Sequence, residues 1–144
     1  MHRYIDLEPV SVVLADDAPD MIDLLDRELS NDPRFEVVGR ANDGEAAIRE
    51  VEDKLPDVIV LDLGMPVMDG VHAIGEISRR SPGTKILVLS SLPVQSEPLM
   101  DQGAAAHVSK TDGLEAFHNA LIDLCATEQR VRTISLGESP STIA

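Results

Sequence analysis

The segment VIVLDLGMPVMDG, Val58 to Gly70, decides how this chain is read. Its first four residues are wholly apolar, the composition of a strand covered on both faces of a sheet. A carboxylate, Asp62, follows at once, and then the chain-breaking residues Gly64, Pro66 and Gly70. A buried strand that ends on an acid and runs into a turn puts that acid at the rim where open α/β sheets bind their ligands.

Outward from this segment, short strand-like runs alternate with amphipathic stretches, and the alternation repeats five times, the pattern of βα units on a parallel sheet. The strand candidates are Val10 to Ala15, Phe35 to Gly39, Val58 to Leu61, Ile86 to Leu89 and Ala105 to Val108. Pro19 suits a first helical turn, and Met21, Ile22, Leu25 and Leu29 mark one helix face. Asp43 is positioned to cap a helix through Ala47, Ile48 and Val51, Asp69 a third through Ile74 and Ile77, and Thr111 opens a fifth through Leu114, Phe117, Leu121 and Leu124. Pro93 and Pro98 leave the fourth helix about two turns, from near Ser96. We expect residues 1–9 to be an N-terminal extension, 10–126 one domain, and 127–144 a flexible tail or linker, since helical and strand periodicity stop near Thr127.

Composition narrows the function. The 144 residues are 43% hydrophobic and 26% charged, an ordinary globular balance. The net charge of −14 repels phosphate backbones, and aromatic residues at 2% cannot furnish base-stacking platforms, so direct nucleic-acid binding by this chain is not expected. The acids concentrate in the first half: eighteen acids against six bases up to His72, then eight against six. The single cysteine, Cys125, closes no internal disulfide and reads as a small core residue. No basic-then-apolar leader and no membrane-length apolar run stand out, so a cytoplasmic location away from membranes is the expectation.

What the strand ends carry is more specific. The first strand ends in Asp16 and Asp17, the third in Asp62, the fourth in Ser90, and Lys110 follows the fifth. Three carboxylates in one crevice raise one another's pKa unless a cation intervenes. Oxygen-only ligands favour Mg²⁺ or Mn²⁺ over zinc, and His2, His72 and His118 show no metal-ligand spacing. Such an ion beside an aspartate and a lysine suits phosphoryl chemistry, with the aspartate as nucleophile. A metal-dependent phosphohydrolase of the haloacid dehalogenase class needs an acid two residues after the nucleophile, and that position is Gly64. An enzyme in its own right is therefore not expected.

These residues resemble a known family, the receiver domains of two-component response regulators. The likeness is carried by Asp16-Asp17, by VIVLDLGMPVMDG, by LVLSS around Ser90 and by VSK ending at Lys110, and it spans about residues 10 to 126. It implies a single doubly wound, flavodoxin-like sheet of five parallel strands in the order 2-1-3-4-5. By position it makes Asp62 the phosphoacceptor for a sensor histidine kinase. It makes Asp16, Asp17, Asp62 and the Gly64 backbone carbonyl the Mg²⁺ site, with Asp17, Asp62 and Gly64 direct ligands and Asp16 acting mainly through water. Ser90 and Lys110 would hold the phosphoryl oxygens. Ser90 and His107 would form the switch, His107 standing where the family usually has Tyr or Phe and rotating into the space that Ser90 vacates. Thr111 stands where many receivers have proline; a cis Lys110–Thr111 bond is costly there, yet members with this departure can retain it. LVLSS and the non-proline after Lys110 are similar to NarL/FixJ-type receivers. That points to transcription control through a helix-turn-helix output domain outside this chain, or else to a single-domain receiver acting as a phosphorylation-independent binding module. Phosphorylation-dependent homodimerisation is compatible with either.

Overall fold

A computed structural model of the chain describes residues 3–65, 70–91, 96–125 and 131–135. In chain order the strands are β1 (Arg3–Leu7), β2 (Val10–Ala15), β3 (Phe35–Ala41), β4 (Val58–Asp62), β5 (Lys85–Ser90), β6 (Ala106–Ser109) and β7 (Val131–Ser135). The helices are α1 (Pro19–Ser30), α2 (Gly44–Lys54), α3 (Gly70–Arg80), α4 (Ser96–Gln102) and α5 (Gly113–Leu124).

The main sheet is parallel throughout, in the order β3-β2-β4-β5-β6, which is the expected 2-1-3-4-5 when only its own strands are counted. Alternation along the strands divides the core in two. Val13, Ala15, Ile59, Leu61, Ile86 and Val88 meet α2, α3 and α4, whereas Val12, Leu14, Val60, Leu87 and Leu89 meet α1 and α5. Central β4 is buried along its whole length, which accounts for its unbroken apolar run.

The helices begin as their residues dictate. Pro19 occupies the first turn of α1, and the Asp43 carboxylate caps α2 by accepting from the Ala46 amide at 2.8 Å. Helix α4 is short, seven residues from Ser96, with Pro98 in its first turn. Asp69, expected to cap the third helix, lies outside the described residues. Thr111 falls in a single 3₁₀ turn, Lys110–Asp112, and the α-helix proper starts two residues later at Gly113. Cys125 is buried against the α1–α5 side.

Within residues 127–144, expected to be a flexible tail or linker, the described segment Val131–Ser135 pairs antiparallel with Arg3–Leu7 as a separate two-stranded sheet, Tyr4 opposite Ile134 and Leu7 opposite Val131. Five residues are too few to display a period, and the strand's partner lies at the other end of the chain.

Gly103 ends α4 at φ +127°, with its amide donating to the Met100 carbonyl at 3.0 Å. A Cβ there would lie 2.6 Å from Ser78 Oγ and 2.7 Å from Ser78 Cβ. Gly103→Ala is expected to destabilise the fold by about 1–3 kcal/mol, through backbone strain and this contact, and denaturant unfolding will read it.

At the rim opposite the acidic strand ends, a charged cluster fastens α1 to α5. His118 on α5 places Nδ1 2.8 Å from Glu28 Oε2 and Nε2 2.8 Å from Asp32 Oδ2. Arg34 donates to Asp32 from Nε at 2.9 Å and from Nη2 at 2.7 Å. These guanidinium bonds hold the buried Asp32 carboxyl well below the usual carboxylate range; burial opposes them, and the Arg34 amide and His118 assist. Because the folded pKa is depressed, the contribution is complete above the unfolded value of about 3.9 and fades as pH falls below it. Asp32→Ala should cost about 2–3 kcal/mol at pH 7, and the gap between wild type and variant should narrow in unfolding curves taken below pH 4.

Candidate functional site

Strand β2 hands its last backbone bond to β3, the Asp16 amide donating to the Ala41 carbonyl at 3.0 Å, and the chain then turns into α1. That turn is made by Asp16 itself, whose Oδ1 accepts from the Ala18 amide at 2.9 Å. Its other oxygen, Oδ2, accepts from Lys110 Nζ at 2.9 Å. Asp16 is 1% exposed, while its neighbour Asp17 points to solvent.

Asp62 closes β4 and is buried. Its Oδ1 accepts from the Gly64 amide at 3.2 Å and lies 3.2 Å from Lys110 Nζ. The single ammonium therefore bridges two buried carboxylates delivered by different strands. Lys110 reaches them from the 3₁₀ turn after β6, which Ser109 initiates by accepting from the Thr111 amide. The peptide between Lys110 and Thr111 is trans, as is every described peptide bond, so the cis alternative does not hold.

The charges act on one another. Burial pushes the Asp62 carboxyl above its ordinary value and the Asp16 charge adds to this, against the lowering effects of the Gly64 amide and Lys110. Burial would lower the Lys110 ammonium, but its hydrogen bond to Asp16 and the charges of Asp62 and Asp16 outweigh that, and the net shift is upward.

One oxygen each from Asp16, Asp17 and Asp62 can be chosen so that all lie within 4.8 Å of one another, and among the described residues no other group of acids, histidines or cysteines does so. The set fits a hard divalent cation. All three donors are carboxylate oxygens, one is open to water, and Lys110 neutralises only one of the three charges. A Cβ on Gly64 would stand 3.8 Å from both Asp62 oxygens, so a glycine there leaves the carboxylate uncovered.

Ser90, at the end of β5, is buried, and its Oγ lies 2.8 Å from Nε2 of His107 on β6. The two switch candidates are therefore already in contact with Ser90 in its place at the end of β5. Parallel pairing sets His107 opposite Val88, so its side chain shares a sheet face with Val88 and Ser90, and that register is invisible in the linear text. The site residues read from sequence are thus gathered as one carboxylate–lysine group and one adjoining serine–histidine pair.

Comparison with known proteins agrees with this arrangement. The response regulator receiver domain family matches residues 12–122. A protein-glutamate methylesterase/protein-glutamine glutaminase of Desulfitobacterium hafniense is 34% identical over 139 residues, covering 90% of this chain and 35% of that protein. The transcriptional regulatory protein DegU of Brevibacillus brevis is 32% identical over 137 residues, covering 95% of this chain and 55% of that one. The chain thus spans about a third to a half of the length of these relatives. Among solved structures, the signal receiver domain of NarL from Mycobacterium tuberculosis superposes with a TM-score of 0.78 at 32% identity, over 83% of this chain and 98% of that one. With a family match over most of its length, and with acids at the ends of β2 and β4 facing a lysine after β6, this chain belongs to the response regulator receiver domain family.

Proposed function

We propose that the chain is a phosphorylatable receiver in which Asp62 accepts a phosphoryl group from a phosphohistidine of a sensor kinase. The observation that carries this reading is Lys110 Nζ seated between Asp16 and Asp62, 2.9 and 3.2 Å away, beside a third carboxylate. An Asp62 oxygen forms the new bond to phosphorus while the P–N bond breaks and the departing imidazole takes up a proton. Lys110 and the Ser90 hydroxyl would hold the phosphoryl oxygens, which carry negative charge throughout.

Asp16, Asp17, Asp62 and the Gly64 carbonyl would hold Mg²⁺ or Mn²⁺, with Asp16 acting mainly through water because Lys110 and the Ala18 amide already engage its oxygens. A divalent ion there supplies positive charge to the phosphoryl oxygens. No other catalytic machinery is required, so the chain acts as acceptor and switch rather than as an enzyme with a turnover of its own.

We assign the chain to control of transcription through an attached output domain, in line with its likeness to DegU and to the NarL receiver; a methylesterase output, as in the Desulfitobacterium hafniense relative, is a second combination. A phosphorylation-independent docking module draws support only from the short α4. A histidine kinase is the partner upstream, and pairing of two phosphorylated copies is compatible with the exposed helix faces.

Acetyl phosphate with Mg²⁺, followed by intact-mass measurement, tests the assignment. Wild type should gain one phosphoryl group, and none when the metal is chelated before reaction, while Asp62→Asn should gain none. An equal gain in Asp62→Asn would remove Asp62 from the role.

A further inference from the structure

We infer that His107 is a positioning residue for phosphoryl capture, and that its Nε2 carries the proton and donates to Ser90 Oγ whenever Asp62 is phosphorylated. This rests on the reading of Asp62 as phosphoacceptor. The geometry that points to it is the 2.8 Å contact between Ser90 Oγ and His107 Nε2.

A serine hydroxyl has one proton to give and lone pairs to receive with, while a neutral imidazole nitrogen is either donor or acceptor. Two polarities of the same contact are therefore open. In one, Ser90 donates its only proton to Nε2, and the imidazole proton sits on Nδ1. In the other, Nε2–H donates to Oγ, and the Ser90 proton is left to point elsewhere. Phosphoryl oxygens only accept, so Ser90 can serve them only in the second arrangement. Capture of the phosphoryl group thereby selects the form of His107 with a proton on Nε2.

The surroundings make this choice consequential. Ser90 is 4% exposed, so bulk water is a poor substitute for a protein hydrogen-bond partner such as His107. Strand β6 is the edge of the sheet, and the face shared by Val88, Ser90 and His107 is the one packed by α3 and α4. A tyrosine or phenylalanine at position 107 offers no ring nitrogen to Ser90. With histidine, the signal passes along β6 as a reversal of hydrogen-bond direction, with no swing of the ring required.

The test uses acetyl phosphate and Mg²⁺ on the full chain, reading phosphoryl gain by mass and the His107 ring nitrogens by ¹⁵N NMR. Wild type should gain the phosphoryl group, and its Nε2 signal should then lie in the protonated range. His107→Phe keeps a ring and loses the donor, so its uptake should fall by about tenfold, less than the about hundredfold typical for removing a transition-state donor outright. His107→Gln, whose amide can donate, should recover most of that loss. In the Ser90→Ala background, His107→Phe should have no further effect, since both changes act through one contact. A wild type that gains no phosphoryl group overturns the receiver reading and this inference with it. A wild type that gains the group while Nε2 stays unprotonated, or a His107→Phe variant with wild-type uptake, overturns this inference alone.

Discussion

Asp62→Asn is expected to take up no phosphoryl group from acetyl phosphate and still to unfold no more readily than wild type. The first half follows from chemistry, because an amide oxygen is a far weaker nucleophile than a carboxylate, and Asp16, the other acid paired with Lys110, already has both oxygens engaged by Lys110 and the Ala18 amide. The second half follows from electrostatics. Asp62 is 4% exposed, and its pKa is raised by burial and by the neighbouring Asp16 charge, so the fold disfavours its ionised form. For a raised carboxyl the penalty is absent below the unfolded value of about 3.9 and complete above the folded one. At pH 7 the amide removes it, although the attraction to Lys110 is lost as well. We expect a gain of about 1 kcal/mol, or about 3 °C in Tm, in metal-free buffer. Calorimetry of both proteins in chelator decides the point, and a Tm several degrees below wild type would mean that the Asp62–Lys110 attraction outweighs the repulsion.

Lys110→Ala should damage both function and fold. It removes the donor that would meet the developing phosphoryl charge, a loss of about 10²–10³ in rate by comparison with other transition-state donors. It also leaves the buried Asp16 and Asp62 carboxylates facing each other without their shared cation. Breaking a fully buried pair costs about 3–5 kcal/mol, and the 17% exposure of the Lys110 side chain brings the expected loss below that range, to about 2–3 kcal/mol. Mg²⁺ should restore part of the stability, since it supplies positive charge to the same oxygens, but not the rate. Lys110→Arg should recover stability better than rate, because a planar fork replaces a compact ammonium between two carboxylates set for one nitrogen. Urea titrations with and without Mg²⁺, beside acetyl phosphate time courses, separate these effects.

The fold was legible because its signals are local. The apolar run Val58–Leu61 reads as a doubly covered strand whatever else surrounds it, and Asp43 and Pro19 mark helix starts through bonds and angles within a few residues. The acidic site was legible for a related reason. Parallel strands all end at the same rim, so an acid that closes a strand is placed there by topology, and Asp16, Asp62 and Lys110 needed no distance measurement to be grouped.

Other features had no local signal. The Val131–Ser135 strand is defined by a partner at the far end of the chain, and His118 is given its role by Glu28 and Asp32, which come to it only when α5 packs beside α1. From its residues alone, this chain determined its βα alternation and the chemistry gathered at one rim, since periodicity and strand polarity are properties of the linear order. Tertiary packing alone decided that Lys110 bridges Asp16 and Asp62, that Ser90 meets His107 across β5 and β6, and that the chain ends pair. Contacts of a few ångströms between distant residues depend on the register and tilt of packed elements, and neither is written in a sequence pattern.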